Sequence, residues 1–215
     1  MRMIGKIPEG LLNLYGDDDW ILSLYLRLRW RLCPFEKIEQ LLPKSGRLLD
    51  LGCGYGILSN YMALKSRTRE VIGIDRSVKR ITVAAGSSSE KGNPAFIRCD
   101  ITELESGLVD GIVLTDFLHH IDYQNQASLL SRCRELLKED GVLVILEVDN
   151  RPLIKYIITL LIDKILNVPD KIYYRDNGTF TKVLREAGFA VTSYAADEGL
   201  PLSDRIYVCT RKERA

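Results

Sequence analysis

The sequence predicts an α/β protein with a doubly wound, mostly parallel sheet and helices on both faces, and three observations carry that expectation. The stretch Leu48 to Leu51, apolar but for Asp50, feeds a turn with glycine at 52, 54 and 56. Further short apolar strands, Val71–Ile74, Phe96–Cys99 and Ile112–Leu114, alternate with helical patterns, as parallel sheets require. The stretch Val142–Glu147 is an uninterrupted apolar strand of the kind buried on both faces.

The first elements are helical. Asp17, Asp18 and Asp19 suit a helix start, and Trp20, Ile21, Leu24, Tyr25, Leu28 and Leu32 recur at helical spacing after them. Arg27, Arg29 and Arg31 alternate with Leu28, Trp30 and Leu32, but the longer apolar spacing favours a helix. Pro34 opens a second helix that ends near Pro43. These helices either cover the rim of the sheet and bury their aromatics, or form a lid that grips an apolar or anionic acceptor through Trp20, Trp30 and the arginines.

The glycine-rich turn comes next, with a helix over residues 57–66 behind it. Glycine admits positive φ and lets a ligand approach the main chain, while the helix N-terminus faces the turn. A dinucleotide fingerprint would need a further glycine where Ile57 stands, so the spacing disfavours NAD. Asp75 ends the following strand, where a carboxylate can accept from both hydroxyls of a ribose; it can equally serve as a cap or turn acid.

The pattern of Asp50, Gly52, Gly54 and Gly56, followed by acids at the ends of later strands, resembles the class I S-adenosylmethionine-dependent methyltransferases. The resemblance runs from about residue 44 to 212 and implies a seven-stranded sheet with one antiparallel strand. It implies that Asp50, Gly52, Cys53, Gly54, Tyr55, Gly56, Asp75 and Arg76 lie around S-adenosylmethionine. Asp100 would accept the adenine amino group and Ile101 would pack on its ring, while Thr115 and Asp116 would lie beside the methionine end.

Further along, 126–137 is expected to be a helix, Glu139-Asp140-Gly141 a turn, and 179–187 a helix stopped by Gly188 and Phe189, with closing strands at 190–194 and 205–210. Residues 151–170 form an insertion after the fifth strand. Its segment 152–168 carries no charge between Lys155 and Asp163, so the helix expected there is either packed on both sides or offers an apolar face to lipid, subunit or substrate.

The chain of 215 residues, 46% hydrophobic, suits one methyltransferase-like domain: a helical cap at 1–43 and a core at 44–212. A formal charge of +1 argues against nucleic acid as the default partner. Five cysteines without a C-x-x-C pair suggest neither disulfides nor a metal site and fit a reduced cytoplasm, with peripheral membrane contact left open. No segment reaches the roughly 18–20 apolar residues of a membrane span, and the first ten residues lack the apolar core of a signal peptide.

Methyl transfer needs chiefly an acceptor held in line with the methyl group, with a base only where a proton must leave. His119 and His120, the only histidines, follow the fourth strand; on a helix they would diverge by about 100°, so at most one of them faces the acceptor, and the readings are a general base, or a capping or core role with no catalytic residue needed. Phe117, Tyr173 and Tyr174 are further candidates to line an acceptor site, and Asp122 reads as an N-cap. The resulting expectation is methylation of a small, apolar or lipid-like metabolite at oxygen or carbon. The alternatives are a non-catalytic cofactor-binding scaffold, or a macromolecular acceptor, protein or nucleic acid.

Overall fold

A computed structural model describes residues 6–16, 18–88, 92–100, 104, 107–150, 172–196 and 203–212. Asp17, Ile101 and the insertion segment 152–168 lie outside the described residues. Among the rest, α1 (Glu9–Leu12), α2 (Trp20–Leu32) and α3 (Phe35–Leu41) precede a core of β1 (Gly46–Leu51), α4 (Ile57–Lys65), β2 (Arg69–Asp75), α5 (Val78–Gly86) and β3 (Ala95–Arg98). The second half comprises β4 (Val109–Thr115), α6 (Tyr123–Leu136), β5 (Leu137–Val148), α7 (Asn177–Glu186), β6 (Phe189–Ala195) and β7 (Asp204–Arg211).

The seven strands run in the order β3-β2-β1-β4-β5-β7-β6, and β7 is antiparallel to both β5 and β6. Chain order reverses between β1 and β4, the place where open α/β sheets bind ligands outside the carboxyl ends of their strands. Period-two alternation divides the side chains between two cores. Leu49, Leu51, Ile112, Leu114, Leu143 and Ile145 face α6 and α7, whereas Leu48, Val113, Val144 and Leu146 face α2, α3 and α4.

Local chemistry explains the helix starts. Asp19 accepts from the Leu22 amide to open α2, Asp122 accepts from Gln124 and Asn125 to open α6, and Asp176 accepts from Thr179 to open α7. Two expectations are corrected. Glu139-Asp140-Gly141 is no separate turn: it lies within β5, whose pairing with β4 jumps from Val109↔Leu137 to Gly111↔Val142. The irregularity absorbs the extra residues, and Lys138 pins it by an ion pair with Asp110 at 2.7 Å. The third strand ends at Arg98, leaving Cys99 outside it.

At the amino-terminal edge of the sheet, Arg69 is fully buried and staples three elements. Its Nη1 meets Glu39 Oε1 at 2.8 Å and the Met62 carbonyl at 3.1 Å, and its Nε donates to the Pro43 carbonyl at 2.7 Å. Nη2 reaches the carbonyls of Glu39 and Leu42. A buried guanidinium so fully bonded holds α3 against β2 and α4.

Candidate active site

The glycine turn is held by β2. The amides of Gly52 and Cys53 both donate to the Ile74 carbonyl, at 2.8 and 2.9 Å, and the Gly54 amide donates to Asp75 Oδ2 at 3.0 Å. Asp75 Oδ1 takes the Ser77 amide at 2.8 Å, so each oxygen of this buried carboxylate holds one backbone donor and retains lone-pair capacity for a hydroxyl. Gly54 has φ 56°, and a side chain there would meet nothing within 4 Å. The space above the turn is open at that residue, whereas a side chain on Gly52 would strike the Phe117 ring.

Asp50 lies beneath the turn, fully buried, with Oδ2 accepting from Ser59 at 2.5 Å and Oδ1 without a hydrogen-bond partner among the described residues. Burial, reinforced by the nearby charge of Asp75, pushes its carboxyl up to about 6.

The N-terminal helices close over this edge. The Tyr15 hydroxyl donates to the Tyr55 carbonyl at 3.0 Å and receives the Asn60 amide at 3.1 Å, tying the segment after α1 to the turn. From α2, Tyr25 meets Tyr55 edge-on with centroids 5.2 Å apart. Arg29 Nη1 lies 2.7 Å from Asp116 Oδ2, which also accepts from the Cys33 thiol at 3.3 Å. Asp116 has φ 49°, a left-handed conformation uncommon outside glycine, and this kink ends β4 and turns its carboxylate toward α2. Buried Asp204, at the start of β7, has its carboxyl pushed well up by burial and by the charge of Asp116.

A second constellation adjoins the first. Glu147, near the end of β5, receives the Phe117 and Leu118 amides on Oε1, at 3.1 and 2.6 Å, and its Oε2 lies 2.8 Å from His119 Nδ1. A carboxylate oxygen only accepts, so a neutral imidazole in this contact donates from Nδ1 and has its lone pair on Nε2. His119 is buried, 4.9 Å from the Tyr174 ring, and its carbonyl receives the Tyr173 amide at 2.8 Å. The two histidines do not diverge as a regular helix would make them. Leu118–His120 is a single 3-10 turn, and the imidazole centroids are 4.2 Å apart.

The structure thus gathers Asp50, Gly52, Cys53, Gly54, Tyr55, Gly56, Asp75, Thr115, Asp116 and Phe117 around the carboxyl edges of β1, β2 and β4, with His119, His120, Tyr173 and Tyr174 behind Phe117. Arg76 and Asp100 stand exposed beyond β2 and β3. Trp30 is not at this edge: it is buried against Tyr61 and Phe35, because its position on α2 faces the core. Trp20, 70% exposed, lies at the far end of the same helix. Arg29 is engaged by Asp116, which leaves Arg27 and Arg31 as the exposed arginines of α2.

Sequence reasoning passed over Glu147, the Arg29–Asp116 pairing, Tyr15, Tyr25 and Asp204. Glu147 had a signal: it is an acid closing an apolar strand, the same pattern that singled out Asp75.

Comparison with known proteins agrees with this geometry. The profile of a family described as "Methyltransferase domain" matches residues 25–194. The chain belongs to this family, the class I S-adenosylmethionine-dependent methyltransferases. It is 35% identical over 99 residues to the ubiquinone biosynthesis O-methyltransferase of Chromobacterium violaceum, covering 44% of this chain and 41% of that protein. The corresponding protein of Paracidovorax citrulli is 34% identical over 122 residues, 54% of this chain and 47% of that one. The chain spans about half the length of the curated relatives it matches.

Among solved structures, the magnesium protoporphyrin IX methyltransferase of Synechocystis with bound S-adenosylhomocysteine superposes with a TM-score of 0.66 at 20% identity, over 95% of this chain and 94% of that one. The pyocyanin biosynthetic protein PhzM gives a TM-score of 0.72 at 21% identity, over 92% of this chain and 60% of that one. At these identities the likeness is one of fold.

Proposed function

We propose that this protein transfers the methyl group of S-adenosylmethionine to a hydroxyl of a small, largely apolar acceptor, with His119 as general base. Several features fit the cofactor. The space above Gly54 admits a ligand against the main chain, Asp75 retains acceptor capacity for a ribose diol, and the Arg29–Asp116 pair offers one charge of each sign to an amino-acid zwitterion. When bound, the cofactor supplies a methyl group on a sulfonium, already a strong electrophile.

What remains for the protein is to hold the acceptor oxygen in line and to take its proton. The 2.8 Å contact between Glu147 Oε2 and His119 Nδ1 carries this reading, because it fixes the tautomer with Nε2 basic and stabilises the imidazolium that forms. An oxygen acceptor is favoured over carbon for that reason. The names of the curated relatives, ubiquinone biosynthesis O-methyltransferases, support an apolar hydroxylated acceptor.

The test is transfer of labelled methyl from S-adenosylmethionine to a panel of apolar phenols and catechols, with calorimetric titration of the cofactor alongside. His119→Gln is expected to lower kcat by about 10²- to 10⁴-fold and to leave cofactor affinity unchanged, the usual contribution of a positioned base. Glu147→Gln keeps an acceptor for the Phe117 and Leu118 amides and should lower kcat in the same direction by a smaller factor. Unaltered kcat in His119→Gln would remove the base from the mechanism. NAD binding with no response to S-adenosylmethionine or S-adenosylhomocysteine would contradict the cofactor.

A further inference from the structure

The outer face of α2 has the wrong composition for water. At about 100° per residue, its six exposed positions, Trp20, Ile21, Leu24, Arg27, Leu28 and Arg31, fall on one arc of about 120°. Trp20 is 70%, Ile21 62%, Leu24 58% and Leu28 39% exposed. The two remaining residues are arginines, and the helix WILSLYLRLRWRL contains no acid. The opposite arc, Leu26 and Trp30, is already buried in the core, so the apolar stripe cannot rotate inward. A helix face left in water ordinarily carries polar residues, and a contiguous apolar patch edged by charge marks an interaction surface.

Charge decides what covers it. Arginine stems can lie along hydrocarbon while their guanidiniums reach phosphate oxygens, and tryptophan favours the boundary between headgroup and acyl chain. A second copy packed through the same arc would bury Arg27 and Arg31 of both molecules with no carboxylate on the arc to pair them. Asp18 and Asp19 precede the helix at one end, and Asp19 is turned back to cap the Leu22 amide. No helix among the described residues is long and apolar enough to cross a membrane, so contact through α2 is contact in the plane of the surface.

We propose that α2 is an interfacial helix that docks this protein on an anionic lipid surface through Trp20, Ile21, Leu24 and Leu28, with Arg27 and Arg31 on the headgroup phosphates. The flank of α2 that carries Tyr25 and Arg29 touches the glycine turn and Asp116, so docking sets the candidate active site beside the lipid. The docking itself does not depend on the methyl-transfer reading, and it is measured without cofactor or acceptor.

The experiment is co-sedimentation of the full chain with vesicles of phosphatidylcholine alone or mixed with phosphatidylglycerol, at low and raised salt. The protein is expected to pellet with the anionic vesicles and to be released by salt. Trp20→Ser combined with Leu24→Ser should lower partitioning by at least about tenfold. Arg27→Gln with Arg31→Gln should lower it by roughly thirtyfold, on the order of fivefold for each basic residue. All four side chains are exposed, so circular dichroism and the melting temperature should stay at wild-type values and show the variants folded. Wild-type protein that stays in the supernatant with anionic vesicles, variants that bind as it does, or equal binding to both vesicle types would overturn the proposal. So would a concentration-dependent dimer that Trp20→Ser dissolves, which would make a second copy the occupant.

Discussion

Two arginine–carboxylate pairs stand at opposite edges of one sheet, and they are built to different ends. Arg69, at the start of β2, directs all three guanidinium nitrogens to Glu39 and to backbone carbonyls, and its side chain is wholly buried. Arg29 meets Asp116 just past the end of β4, the two side chains 20% and 16% exposed, and among the described residues the carboxylate shares only the Cys33 thiol besides. The first pair is saturated and dry, so it can only hold elements together. The second keeps unused donors and acceptors next to open space above a glycine turn, and its carboxylate sits on a residue with left-handed φ. Spare hydrogen-bonding capacity and local backbone strain gather at the carboxyl edge, where a ligand can repay them.

The comparison breaks first at Arg69. Arg69→Leu leaves Glu39 buried without its main partner and is expected to cost about 3–5 kcal/mol in denaturant unfolding. Cofactor affinity of the molecules that stay folded should not change. A milder loss would mean that Lys44, also 3.0 Å from Glu39, takes over the charge.

Asp50 tests the other edge by pH. Its carboxyl moves from 3.8 in the ordinary state to about 6 in the fold, so between those values the folded chain holds a proton that the unfolded chain has released. The contribution of this group to stability is therefore greatest below about pH 4 and is lost as pH rises through 6. Asp50→Asn, which keeps an acceptor for Ser59, should recover on the order of 2–3 kcal/mol at neutral pH and flatten that part of the stability profile, as urea melts at pH 4 and 7 would show. An unchanged slope would assign the charge penalty elsewhere.

The smallest effect on stability is expected at the open pair. Arg29→Gln should destabilise the fold by about 1–2 kcal/mol, less than Arg69→Leu, because both side chains keep some contact with solvent and the glutamine amide can still donate to Asp116. The same change should weaken S-adenosylmethionine binding by roughly tenfold to a hundredfold, the worth of one charge-assisted hydrogen bond. Calorimetry beside an unfolding curve separates the two. Equal losses in both would make Arg29 a second staple and erase the contrast with Arg69.

Much of this was legible in the chain. Local patterns were enough for Asp19 and Asp122, which cap helices from adjacent residues, and for the acids that close β2 and follow β4, which come after apolar runs. Tyr15, Tyr25, Arg29 and Glu147 were not readable in the same way. Tyr15 is 45 residues from Asn60, and Glu147 is 28 residues from His119, so no periodicity or cap connects them. Trp30 shows the converse: the same helical repeat admits a lid or a core aromatic, and only packing against Tyr61 and Phe35 selects the core.

By itself the sequence determined the alternation of strands and helices, the order of acids along the carboxyl edge and the position of the glycine turn, because each depends on hydrophobic period or on backbone freedom within a few residues. Only the tertiary structure decided which acid meets which partner. It set Glu147 under His119, turned Asp116 toward Arg29 and laid α2 with one flank on the turn and an apolar face outward. Those outcomes follow from the sheet order, which brings β4 and β5 side by side, and from burial, which leaves a side chain only the partners that the fold places within reach.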